Sequence, residues 1–180
     1  MPKIIENLRH DLLVCGRKIL QEEGCDGLTM RRVAKNCGIA LGTIYNYYPS
    51  KEVLMASIML EDWQNALQHL HSRCAGAESP LQCMRLVYNC VADFSAVYEK
   101  VWTQYSVPSG LLPFIRSQHR LLIAQLESEI EPVLERFDCL FCSQLPVFLA
   151  ETLLSAATNP DASFNDLIPV LQKLLQRQAD

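Results

Sequence analysis

The stretch that most constrains this chain runs from Leu28 to Glu52, LTMRRVAKNCGIALGTIYNYYPSKE. It predicts two short helices joined by a tight turn, then the start of a longer helix. Ala34 and Gly38 are small where two helices must cross closely. Val33, Cys37, Ile39 and Ile44 are apolar at spacings that turn them inward. The outward positions carry Arg31, Arg32, Lys35, Thr43, Tyr45, Asn46, Tyr47 and Lys51, groups that bond phosphates and base edges. Such a pattern is a helix-turn-helix with its outer side dressed for double-stranded DNA.

A net charge of −4 looks wrong for a DNA-binding chain until it is divided. Residues 1–51 hold eight Lys or Arg against five Asp or Glu, a balance of +3; residues 52–180 hold eight against fifteen, a balance of −7. The basic surplus sits on the helix-turn-helix, where it can displace counterions from a phosphate backbone. The acidic remainder keeps the rest of the molecule off the DNA.

The chain is 49% hydrophobic and 20% charged, enough to bury a sizeable core. No run approaches the ~20 apolar residues of a membrane span. The opening MPKIIENLRHDLL lacks an apolar block ending at a small-residue cleavage site. The expectation is a cytoplasmic protein with no membrane partner.

Taken in order, Leu8, Leu12, Cys15 and Ile19 place a first helix over 3–23, stopped by Gly24. Asp26-Gly27 is a turn, and Thr29 caps the second helix, which Gly38 ends. Leu41 to Tyr47 is the third helix, the one expected in the major groove. After Pro49, Ser50 caps a fourth helix over 51–74, with Val53, Leu54, Ile58 and Leu60 to Trp63 covering one side. At about 1.5 Å per residue this helix reaches well beyond the N-terminal unit and serves as a linker. A fifth helix runs from Pro80 to about Lys100. Residues 101–113, broken by Pro108, Gly110 and Pro113, hold at most a short helix. Helices follow over 114–137, with Pro132 a kink or stop, over 141–157 despite Pro146, and from a capping box at Ser163 and Asp166 to the end. No segment alternates with a period of two. The fold class is therefore all α, about nine helices, with a DNA-binding domain over 1–50 and a helical domain over 51–180.

From Gly38 to Leu54 the string GIALGTIYNYYPSKEVL resembles the signature of TetR/AcrR-type (tetracycline-repressor-like) transcriptional regulators, with Gly42, Thr43, Tyr45, Tyr47, Lys51 and Glu52 in register. The resemblance covers roughly residues 5–60. It implies a homodimeric repressor in which three N-terminal helices bind operator DNA, helix four links, and the C-terminal helices form an inducer pocket and dimer interface. Thr29 and Arg31, with Arg32, would then touch backbone or flanking bases. Gly42, Thr43, Tyr45, Asn46 and Tyr47 would face the groove, and Lys51 a phosphate. Tyr48 stands where Phe is usual, and Ala40 where a Ser or Thr cap is common. Leu41 opens the recognition helix, either touching a thymine methyl or packing inward.

Trp63, Leu67, Tyr88, Phe94, Tyr98, Trp102, Tyr105, Phe114 and His119 are candidates to line a pocket for a small hydrophobic or amphipathic inducer, with core packing the plainer reading of aromatics at helical spacing. Trp102, Tyr105 and Phe114 flank the Pro/Gly-broken segment, where irregular backbone leaves room. Phe148, Leu149, Thr152, Leu153, Ala156, Leu167, Leu171 and Leu174 give the last two helices broad apolar faces, which either pack on their own chain or meet their mates across a two-fold axis.

Eight cysteines, mostly within helical apolar patterns, read as small hydrophobes. Cys139 and Cys142 form one CxxC with no second pair or matching His pair, so no metal or other cofactor is expected. Thiol sensing through Cys139 and Cys142, or through Cys83 and Cys90, and a shared face for His71 and Cys74, are the alternatives. There is no Gly-rich phosphate loop, nucleophile elbow or paired His-carboxylate motif, so an enzyme is not expected. The reading is a ligand-released repressor; the alternative is an all-α small-molecule or metal- and thiol-sensing module.

Overall fold

A computed structural model of the chain describes the backbone of residues 7–99 and 112–176, and the side chains of all of these except 112–118. The described residues are all helical apart from turns. The helices are α1 (Leu8–Gly27), α2 (Met30–Asn36), α3 (Leu41–Tyr47), α4 (Lys51–Ala75), α5 (Pro80–Val97), α6 (Leu112–Arg136), α7 (Leu145–Thr158) and α8 (Phe164–Leu174). The expected short helix over 101–113 falls almost wholly outside the described residues.

Two local outcomes follow from glycine and proline chemistry. Gly24 interrupts α1 with φ at 71°, a left-handed value that costs glycine little, so the regular helix ends there as the sequence predicts. Pro146 does not sit inside a helix begun at Phe141. It occupies the first turn of α7, where a missing N–H removes no hydrogen bond, and residues 141–144 are turn. Pro132, by contrast, lies within α6, which continues to Arg136.

The chain divides into two compact units. The described part of the first comprises 7–65 and 97–99. Its core is Leu12, Leu28, Val33, Ile44, Leu54 and Ile58, each fully buried. Each such side chain contributes about 1.5–3 kcal/mol through the apolar area it removes from water. α1 meets α4 closely at Gly16, where an added Cβ would lie 2.8 Å from Ile58 Cδ1. α4 does not present all of Leu60 to Trp63 to the core: Trp63 is buried, Leu60 is 51% exposed, and Glu61 and Asp62 are half-buried in ion pairs with Arg17 of α1.

The described part of the second unit comprises 66–96 and 112–176. α6 and α7 pack along each other, and Leu126, Ile130, Leu134, Leu149 and Leu153 are fully buried. Arg136 closes the end of α4. Its guanidinium donates to the carbonyls of Ala75 at 2.5 Å and Cys74 at 3.4 Å, acceptors the helix C-terminus leaves open, and to Ala77 just beyond it at 2.7 Å, and it stacks on Phe137 at 4.8 Å. Tyr88 meets Phe164 edge-on at 5.4 Å between ring centroids and donates its hydroxyl to the Ala162 carbonyl.

Candidate nucleic-acid interface

α2 begins at Thr29, whose Oγ1 accepts the Arg32 N–H at 3.2 Å and so satisfies one of the free donors of the first turn. The turn after α2 is made by Gly38, φ 66°. The reason for glycine here differs from the expected close crossing. An added Cβ would meet nothing within 4 Å, so the backbone conformation selects glycine, while buried Ala34 supplies the small residue. Ile39 N–H closes the turn on the Ala34 carbonyl at 3.0 Å.

α3 hangs from one anchor, Ile44, its only buried residue. Tyr48, just after it, is also buried, and its hydroxyl reaches the Arg9 carbonyl at 3.5 Å, so the residue standing in place of Phe gains a partner for its extra oxygen. Ala40 gives the N-terminus no side-chain cap. The rest of α3 faces outward: Tyr45 is 47% exposed, Tyr47 44%, Leu41 37%, and Gly42 and Asn46 are exposed, with Thr43 half-buried. Leu41 therefore does not pack into the core.

Gly42 is informative. Its φ is not left-handed, and an added Cβ would meet nothing within 4 Å. Nothing among the described residues asks for glycine here, yet glycine in a helix costs about 1 kcal/mol relative to alanine. An exposed helical glycine of this kind leaves room for another backbone to approach.

Thr29, Met30, Arg31, Leu41, Tyr45 and Lys51 line a groove of about 450 Å³, so the starts of α2, α3 and α4 converge on one concavity. Met30 was not among the residues expected there; its apolar side chain between Thr29 and Arg31 carries no signal of its own. Two of the expected cations are engaged within the chain. Arg32 forks onto Glu23, which holds that carboxyl below its ordinary range, and Lys51 Nζ donates to the Cys25 carbonyl at 3.0 Å. Arg31 is exposed.

The remaining expected residues are dispersed. Trp63 and Tyr98 are buried in the first unit. In the second, Leu67 lines a groove with Gln68, His71, Ser72 and Glu129; Phe94 is half-buried, and exposed His119 lies 3.4 Å from Glu151. Trp102, Tyr105 and the side chain of Phe114 lie outside the described residues. Of the last two helices' apolar residues, Leu149, Leu153, Ala156 and Leu171 are buried within the chain, Thr152, Leu167 and Leu174 are half-buried, and Phe148 is 53% exposed. Cys139 is buried and donates to the Leu175 carbonyl at 3.0 Å, while Cys142 is exposed. Among the described residues, no group of three His, Cys, Asp or Glu is arranged to hold a metal ion, and no helix is long and apolar enough to cross a membrane.

Residues 12–58 match the profile of the bacterial regulatory proteins, tetR family. The HTH-type transcriptional regulator UidR of Escherichia coli K12 is 34% identical over 68 residues, 38% of this chain and 35% of that protein. The aligned chain thus spans about a third of that relative's length. A TetR/AcrR-family regulator from Thermobifida fusca superposes over 96% of this chain and 98% of its own, with a TM-score of 0.59 and 18% identity. FadR of Bacillus subtilis, solved in complex with stearoyl-CoA, superposes over 95% and 100%, with a TM-score of 0.60 and 16% identity. The helix-turn-helix unit of this chain is thus similar to that of the tetR family of bacterial regulatory proteins, and over nearly its whole length the chain has the fold of these two solved structures.

Proposed function

We propose that the chain is a sequence-specific DNA-binding transcriptional regulator, a repressor released from its operator by a small hydrophobic or amphipathic ligand. The observation that carries this is the outward face of α3: Leu41, Gly42, Tyr45, Asn46 and Tyr47 are exposed and Thr43 half-buried beside exposed Arg31, and Gly42 serves no contact among the described residues. Residues 1–50 act as the DNA-binding domain and 51–180 as the ligand-binding and dimerisation domain. Phosphate contacts come from Thr29, Arg31 and Lys51, and base contacts from α3. Arg32 acts mainly by fixing α2 to α1 through Glu23, since its charge is already paired.

A seven-residue recognition helix reads few bases, so two copies are required, with reading heads ~34–36 Å apart or a multiple of it. Exposed Phe148 and half-buried Thr152, Leu167 and Leu174 meet their mates in a four-helix dimer contact, while Leu149, Leu153, Ala156 and Leu171 fill the protomer's own core. The protein acts in the cytoplasm and has no catalytic role. The stearoyl-CoA bound to the Bacillus subtilis structure supports a long acyl chain or its thioester as the ligand class for the C-terminal helices. Ligand and operator oppose each other by one coupling factor, so operator DNA weakens ligand binding as much as ligand weakens DNA binding.

The test is a mobility-shift titration on the DNA upstream of the chain's own gene, at low salt, with and without stearoyl-CoA. A shifted, protected site released by the acyl-CoA is expected. Absence of any protected site overturns the regulator reading; a site indifferent to acyl-CoA overturns only the ligand class.

A further inference from the structure

Among the eight cysteines, the fold brings together a pair that chain spacing does not suggest. Cys74 lies in the last turn of α4 and Cys83 in the first turn of α5, and their sulfurs are 3.4 Å apart. Both thiols are buried, 1% and 0% exposed. Their surroundings are polar on one side. Glu129 of α6 sends its backbone carbonyl to 4.0 Å from Cys83 Sγ and its carboxylate to His71, which shares a face of α4 with Cys74 three residues on. His71 and Glu129 also line, with Leu67, Gln68 and Ser72, the groove of about 450 Å³ on this side of the second unit. Glu129 therefore links the pair to an open groove, its carbonyl beside Cys83 and its side chain with His71 on the groove wall.

We propose that Cys74 and Cys83 form a reversible thiol–disulfide site, oxidised by a small hydroperoxide entering through this groove. The two sulfurs play different parts. Cys83 donates its S–H to Cys74, which holds the Cys74 thiol below its ordinary value against the opposing effect of burial, with Arg73 and Arg136 adding to the lowering. The same bond, together with burial, pushes the Cys83 thiol up. Cys74, which accepts this bond and whose carbonyl the Arg136 guanidinium reaches at 3.4 Å, is the attacking sulfur. Its thiolate attacks the outer peroxide oxygen; an S–O bond forms, the O–O bond breaks, and the leaving oxygen departs as alcohol or water with a proton from solvent. Cys83 sulfur then attacks the sulfenic sulfur; the S–S bond forms, the S–O bond breaks, and water leaves with the Cys83 proton. Two thiols lose two electrons and the peroxide gains them. A thiol reductant reverses the change.

Three other thiols donate to partners that are not cysteines. Cys25 donates to Met55 Sδ at 3.7 Å, Cys90 toward the Ala66 carbonyl at 3.9 Å, and Cys139 to the Leu175 carbonyl. Cys37 shares a thiol–thiol hydrogen bond with Cys15, but there burial first and then Cys15 push the Cys37 thiol up to about 11, and its Sγ also reaches the Asp11 carbonyl at 3.8 Å. Because Cys74 closes α4, the crosslink would tie that helix to α5 at the end remote from Lys51.

The sequence makes the test direct. Trypsin cleaves after Arg73 and Arg85, with no Lys or Arg between, so peptide 74–85 carries both cysteines and no others. The full chain, reduced and then treated with stoichiometric hydrogen peroxide, is denatured, alkylated, digested and weighed. The expected peptide is unalkylated and lighter by two hydrogens, takes up two alkyl groups after reductant, and forms faster in the folded chain than in urea. A Cys83→Ser chain is expected to hold a sulfenic acid at Cys74 that dimedone traps. Peptide 74–85 alkylated at both cysteines while Cys142, or Cys15 with Cys37, is oxidised would overturn the proposal. So would a crosslink that forms no faster folded than unfolded, and both readouts stand on the unmutated chain.

Discussion

The hydroxyl of Tyr98 donates to Asp62 Oδ2, while Arg17 Nε holds the other carboxylate oxygen, Oδ1, at 2.6 Å. The residue following α5 is thereby tied to α4 and α1 within the unit that carries the helix-turn-helix. Tyr98 is 1% exposed, and burial beside this carboxylate pushes its hydroxyl well above the ordinary tyrosine value, so it stays a donor at any physiological pH. Tyr98→Phe removes one buried hydrogen bond and is expected to lower unfolding stability by about 1 kcal/mol. Asp62→Ala leaves two donors without their acceptor and should cost more, about 2–3 kcal/mol. Urea midpoints at one protein concentration check the order; Tyr98→Phe costing more than Asp62→Ala would contradict it.

Gly42→Ala separates folding from recognition. The added methyl meets no atom within 4 Å and improves helix propensity, so stability should rise by about 0.5–1 kcal/mol. The same methyl stands where DNA must come close, so operator affinity should fall. Thermal melting and fluorescence anisotropy measure the two halves. A variant that gains stability and keeps full affinity would remove Gly42 from the interface.

Arg31 and Arg32 are adjacent but differently committed. Arg31→Ala should reduce the slope of log affinity against log salt by about 1, the signature of one lost phosphate contact. Arg32→Ala should change that slope less, because Glu23 already neutralises Arg32. Equal slope changes would show that Arg32 leaves Glu23 for phosphate on binding.

Asp166 takes the backbone N–H of Ser163 at 2.9 Å and its hydroxyl at 2.8 Å, and these bonds lower its pKa, the hydroxyl most. A carboxylate depressed in the folded state stabilises it above the unfolded carboxylate value, and that contribution is lost as pH falls through the folded value. Ser163→Ala should therefore melt below the parent at neutral pH, with the gap closing only in acid below the ordinary aspartate range. A gap independent of pH would show that the serine acts without the carboxylate.

What was legible in the chain was local, and what was not was tertiary. The helix starts and stops were written by Gly24, Thr29, Gly38 and Ser163, because glycine conformation and capping act within a few residues. The outward face of α3 was legible because Ile44 alone points in. The commitment of Arg32 to Glu23 was not, since that partner lies nine positions away and is chosen by how α1 meets α2. Cys83 and Cys90 lie seven apart on one helix, so sequence reasoning paired them; packing instead brings Cys74 to Cys83 from a different helix. The apolar stripe of α7 and α8 has the same ambiguity. Leu149 and Phe148 are adjacent and equally apolar, yet one is fully buried and the other faces out.

The central claim is that α3 reads sequence, and Tyr45 offers the sharpest test because its ring is half-exposed and its loss leaves Ile44 and Tyr48 in the core. Titrating the chain's own upstream site and random DNA at physiological salt should give a specific-to-random affinity ratio of about 10³ or more. Tyr45→Ala should collapse the ratio toward one while leaving the melting temperature unchanged. A native ratio near one, or a Tyr45→Ala chain that keeps the full ratio, would contradict the account.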